Sequence, residues 1–95
     1  MRNGWNRRRV ATVPASDNGV VPLNALRTGE QGVVVEMNGG RGMLGRMTSL
    51  GFTPGAKVTI VQNFGRGPLI ALVRDARIAL GRGEAGRIHV RRSRP

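Results

Sequence analysis

The sequence predicts a mainly β domain, a small barrel of about five strands with one short α-helix. Two patterns carry the prediction. Short β-rich segments recur between Gln31 and Val90, separated by glycine- and proline-containing turns. Only one stretch, from Met43 to Leu50, carries a helical stripe. Composition agrees: 15 glycines and only three aromatics in 95 residues leave a small aliphatic core crossed by tight turns. Closing such strands into a barrel removes the exposed edges that invite aggregation.

Residues 1–19 contain Arg7-Arg8-Arg9, Pro14 and Ser16-Asp17-Asn18-Gly19, with few apolar groups. Little apolar surface and a high positive charge cannot offset the entropy of ordering, so this segment reads as a basic, disordered tail. The domain is expected over residues 20–91, with a basic end at 92–95. Leu23 and Leu26 are spaced as one side of a single helical turn, and Thr28-Gly29-Glu30 turns the chain. Gln31 to Met37 reads as a half-buried strand, with Val33, Val35 and Met37 alternating against Val34 and Glu36.

Met43, Leu44, Met47 and Leu50 define the helix. Gly51 suits the left-handed position that closes it, and Phe52 is placed to pack back on its last turn. Thr53-Pro54-Gly55-Ala56 has the residues of a type II turn. Lys57 to Asn63 is a strand with Val58 and Ile60 inward, and Gly65-Arg66-Gly67 a hairpin loop. Pro68 to Val73 is apolar on both faces and expected to be central. Arg74-Asp75-Ala76 is a tight turn, Arg77 to Leu80 alternates again, Gly81 to Gly86 is a loop with one turn at Glu84-Ala85, and Ile88 and Val90 mark a last strand.

Sixteen Lys+Arg against five Asp+Glu give a formal net charge of +11, which attracts polyanions and acidic protein faces. No cysteine is present, which excludes disulfides, a catalytic thiol and thiolate metal sites. His89 stands alone between Ile88 and Val90, pointing away from the core, and makes a poor metal site by itself. The five carboxylates are scattered and no serine sits beside a candidate base, so the chain reads as a non-enzyme. No cofactor or metal ligand set is expected.

Gly40-Arg41-Gly42-Met43-Leu44-Gly45 matches the GxGxxG dinucleotide fingerprint formally. The helix is too short for a crossover, hairpins follow instead of βα units, and no acidic residue lies about twenty positions on. The glycines read instead as allowing a sharp strand-to-helix bend and a helix lying close to the sheet. Free backbone N–H groups at the helix start, with Arg41 and Arg46, leave an anion site as a lesser option. For single-stranded nucleic acid, the interleaved aromatics that form stacking platforms are missing; Phe64 alone could be displayed, beside Arg66.

A family resemblance rests on Leu23-x-x-Leu26-x-x-Gly29-x-x-Gly32-x-Val34, Leu44-x-Arg46-Met47-x-x-Leu50-Gly51-x-x-Pro54-Gly55-x-x-Val58-x-Ile60, Gly67-Pro68, Ala79-Leu80-Gly81 and Ala85-x-x-Ile88-x-Val90. This pattern resembles the FeoA family over about Val21 to Val90. The resemblance implies an SH3-like barrel and a small cytosolic accessory protein of bacterial ferrous iron transport. It implies a partner, the membrane permease FeoB with its cytosolic GTPase domain, and a place at the inner face of the membrane through that partner. The same module ends iron-dependent transcription repressors.

The core consumes Leu44, Met47 and Leu50 in this reading. The opposite, polar face, with Arg41, Arg46, Thr48, Ser49, Thr53 and Lys57, is the expected docking surface, and the Phe64–Arg66 hairpin a second one. A charge-driven adaptor for nucleic acid or anionic membrane is the alternative. Val34 and Leu69, read as outward apolar residues, leave room for self-association.

Overall fold

The computed structural model describes residues 19–93. Six strands form one antiparallel sheet: β1 (Val20–Pro22), β2 (Gln31–Met37), β3 (Lys57–Gln62), β4 (Leu69–Val73), β5 (Ala76–Leu80) and β6 (Ile88–Arg92). Their order is β1-β6-β2-β3-β4-β5. The helix α1 (Arg41–Leu50) joins β2 to β3, a four-residue helix α2 (Arg82–Ala85) joins β5 to β6, and a 3-10 turn (Leu23–Ala25) follows β1. The strand count exceeds the expected five because β1 is only three residues long and ends in Pro22, so it carries no alternation to read. Its pairing with β6 (Val21 opposite Val90) makes it a strand. The ladder ends at β1 and β5 rather than closing on itself.

One core gathers Leu23, Leu26, Val34, Met47, Phe52, Val58, Ile60, Leu69, Ala71, Val73, Leu80, Ala85, Ile88 and Val90. Leu23 and Leu26 sit on one turn as expected, closed by a hydrogen bond from Leu26 N to Leu23 O of 3.1 Å. The inward set of β2 differs from the expected one. Val34 is buried opposite Val90, and a bulge leaves Val35 unpaired between Val34 and Glu36. The extra residue reverses parity along the strand. Gly32 and Val34 therefore face inward before the bulge and Met37 after it, while Val35 is exposed.

Gly32 is required by proximity: a Cβ there would lie 2.9 Å from Val90 Cγ2. Val34 and Leu69 are fully interior, which removes the self-association surface they suggested. In β4, Leu69, Ala71 and Val73 are buried while Ile70 and Leu72 are half-buried, one strand in from the β5 edge.

The helix ends as its sequence requires. Gly51 has φ 107°, and Phe52 N donates to Met47 O at 3.0 Å while Gly51 N donates to Thr48 O at 3.0 Å, the two bonds of a Schellman motif. Phe52 is fully buried. The type II turn follows, with Gly55 at φ 92° and Ala56 N donating to Thr53 O at 2.8 Å. The other helix glycines play no packing role: nothing lies within 4 Å of a Cβ at Gly40, Gly42 or Gly45. The expected close approach of helix and sheet through those glycines is therefore absent. Leu44 is only half-buried and stands outside the core, unlike Met47 and Leu50.

Candidate functional site

Two surface regions collect the residues singled out from the sequence. The first is the outer face of α1 with the turn behind it. Met43, Met47 and Leu50 point to the core, which leaves Arg41, Thr48 and Ser49 exposed on the other side. The Schellman stop and the type II turn carry the chain back to the sheet, so Thr53 and Lys57 lie beyond the helix end. Gly55 N donates to Val34 O and Val34 N donates to Ala56 O, which pins this turn to β2. Thr53, Pro54, Gly55, Ala56, Lys57 and Arg74 line an open depression there.

Arg46 stands apart from this group. It lies on the flank of α1 and its guanidinium pairs with the Glu84 carboxylate on α2. Glu84 also accepts from Gly81 N at 3.2 Å, capping α2. The Gly81 hydrogen bond, then the Arg46 contact, hold the Glu84 carboxyl below its ordinary range. Arg46 therefore ties α1 to α2 while its side chain stays 57% exposed.

The second region is the loop between β3 and β4. Phe64 is 74% exposed at its tip, with Arg66 exposed beside it. The loop stands on a network centred on Asn63, which the sequence did not point to. Asn63 Nδ2 donates to Asn24 O at 3.1 Å and Leu26 O at 2.6 Å. Its Oδ1 accepts from Gly65 N at 3.0 Å and from Arg82 Nη2 at 3.1 Å. Thr28 Oγ1 accepts from Asn63 N at 2.9 Å, and Arg82 Nη1 donates to Gly67 O at 3.1 Å. One asparagine thus holds together three segments distant in sequence.

His89 lies on the sheet face opposite Ile88 and Val90, half-buried between Pro22 on β1 and Glu36 on β2, with no hydrogen-bond partner for Nδ1. Among the described residues no three of His, Cys, Asp and Glu come together as a metal site. Among them, too, no helix is long and apolar enough to cross a membrane. Residues 1–18 of the expected basic N-terminal tail and the last two residues lie outside the described residues; Gly19 O accepts from Arg92 N at 3.0 Å.

The FeoA domain model matches residues 21–92. The chain belongs to the FeoA family. A relative from Methanocaldococcus jannaschii, provisionally named Fe(2+) transport protein A, is 35% identical over 69 residues, covering 73% of this chain and 83% of its own. A crystal structure of the iron uptake regulatory protein FeoA superposes with a TM-score of 0.74 at 39% identity, covering 78% of this chain and 99% of that one.

The zinc complex of FeoA from Stenotrophomonas maltophilia, a prokaryotic SH3 domain protein, gives 0.64 at 30% identity over 72% and 86% of the two chains. The fold is therefore SH3-like. A manganese-dependent transcriptional repressor shares the fold alone, at 23% identity and a TM-score of 0.72 over 41% of its length.

Proposed function

We propose that this FeoA-family chain is a non-catalytic accessory protein of ferrous iron transport that docks on the cytosolic GTPase domain of a FeoB-type permease. It works in the cytoplasm, at the inner face of the membrane when docked. The observation that carries this reading is the FeoA match across residues 21–92, the whole described domain except its ends. The docking surface is the outer face of α1 with the turn after it: Arg41, Thr48, Ser49, Thr53 and Lys57. Arg41, Thr48, Ser49 and Lys57 stay exposed and Thr53 half-buried after the core has taken Met47, Leu50 and Phe52. Arg46 borders the surface and is paired with Glu84 on α2.

The test is binding of the chain to the purified GTPase domain of a FeoB-type permease, by calorimetry. Exchanging Arg41 and Lys57 for glutamate weakens binding about tenfold or more, since reversing rim charges costs affinity and on-rate, and leaves the circular dichroism spectrum unchanged. Unaltered affinity removes this surface.

One observation favours a second contact: Phe64 is the most exposed large apolar side chain among the described residues, on a loop that its base holds in place. Phe64→Ala and Arg66→Glu test that hairpin separately. The net charge of +11 favours, as a competing reading, a charge-driven adaptor for nucleic acid or anionic membrane. Such binding falls steeply with salt and is lost when residues 1–18 and 94–95 are removed. Family-type docking survives that trimming, which spares β6 through Arg92.

A further inference from the structure

The turn between β4 and β5 is built against the preferences of its residues. Arg74 has φ 50° and Asp75 φ 65°, so both central positions of this two-residue hairpin are left-handed. Such turns favour Asn-Gly, because a side chain at positive φ crowds its own backbone. Asp tolerates this conformation; a long side chain such as arginine seldom adopts it. The strain sits beside the depression at the end of α1. Arg74 lines that depression, and its Cδ lies against Gly51, 3.2 Å from where a Cβ would stand. Lys57 is the first residue of β3, next to Val58, which pairs with Val73; extending that register puts Lys57 beside Arg74. Among the described residues the salt bridges are Arg46–Glu84 and Arg92–Glu30, so no carboxylate neutralises either cation.

We infer that Arg74 and Lys57 form a carboxylate-binding site, which takes an acidic side chain of a protein partner into the depression that they line with Thr53, Pro54, Gly55 and Ala56. Charge complementarity identifies the occupant. Two adjacent free cations face an open concavity, and the guanidinium fork matches a carboxylate. A phosphate group is the poorer fit. Sites for phosphate gather free backbone N–H groups, whereas here Thr53 N, Gly55 N and Ala56 N already donate to Gly51 O, Val34 O and Thr53 O. Strained residues persist where function holds them, and Arg74 is the strained residue that lines the depression. The inference deepens the docking reading by naming what the partner presents; it rests on that reading only for the partner's identity.

The test uses the full chain, labelled with nitrogen-15 and titrated with a hexaglutamate peptide, reading amide shifts at Gly51, Thr53, Ala56 and Lys57. Saturable shifts at these residues are expected. Arg74→Gly relieves the left-handed strain, so it raises Tm by roughly 2–5 °C while weakening peptide binding at these amides about five- to tenfold. Asp75→Gly raises Tm similarly and does not weaken binding, because it keeps both cations and removes a neighbouring negative charge. Arg91→Gln, which removes an exposed charge on β6, leaves binding unchanged.

Equal losses for Arg74→Gly and Arg91→Gln would overturn the site in favour of diffuse polyanion attraction. So would shifts confined to the chain ends, or equal Arg74-independent shifts with an oligonucleotide of the same charge. Arg74-dependent peptide binding without binding of the GTPase domain would support the site and sink the docking reading. Domain binding unaffected by Arg74→Gly would sink the site alone.

Discussion

The two ends of β3 are fixed by different means. Before it, the turn from Gly51 to Ala56 is held by the backbone: Phe52 N to Met47 O, Ala56 N to Thr53 O, Gly55 N to Val34 O. After it, the Phe64 loop is held by side chains: Asn63 to the Leu23–Leu26 turn, Thr28 to Asn63, Arg82 to Asn63 and Gly67. A backbone-held turn needs only glycine or proline at set positions, and its outer side chains stay free to face a partner. A side-chain-held loop depends on a few irreplaceable groups and spends them on structure, leaving Phe64 and Arg66 as its free residues.

The largest expected effect is at the side-chain-held end. Asn63→Ala removes hydrogen bonds to two carbonyls, one amide and one guanidinium, and costs about 3 kcal/mol. Urea unfolding measures it as a lower midpoint at constant slope. At the backbone-held end, Gly51→Ala forces a side chain into φ 107° and towards Arg74, and costs about 1–2 kcal/mol in the same assay. Thr28→Ala removes one acceptor at the exposed edge of the network and costs ~1 kcal/mol.

Gly45→Ala has the opposite sign. Open space surrounds that position, so the substitution stabilises α1 by about 0.5–1 kcal/mol. A loss instead would show that the helix needs glycine to pack. The smallest effect is electrostatic. The Glu84 carboxyl titrates below its ordinary value of 4.5 when folded. Its stabilisation is therefore complete above that value and lost as pH falls through the lower, folded one. The pair is partly exposed, so the amount is below about 1 kcal/mol. Glu84→Gln flattens that part of the acid limb of the stability curve.

This contrast also explains what could be read in advance. Gly51, Phe52, Pro54 and Gly55 announce their conformations locally, and the structure has each where it was expected. The polar outer side of α1 follows from the same periodicity. The Asn63 network was illegible because, Gly65 apart, its partners lie 19 to 39 positions away, and nothing at Asn63 alone marks a hub. Val35 misled for a related reason: a bulge has no local signature in a run of valines, and a single extra residue exchanges the faces. Arg74-Asp75-Ala76 announces a tight turn but not its handedness, so the sequence does not mark Arg74. Of the residues proposed for docking, Arg46 is engaged with Glu84, a partner 38 residues away.

The central claim, that the outer face of α1 and its turn is where a partner docks, is tested most directly by mapping. The nitrogen-15-labelled chain is titrated with the unlabelled GTPase domain of a FeoB-type permease, and amide signals are followed residue by residue. The account predicts line broadening or shifts centred on Thr48, Ser49, Thr53, Lys57 and Arg74. Changes centred on Phe64 to Gly67, or confined to residues 1–18, with that face unaffected, would contradict it.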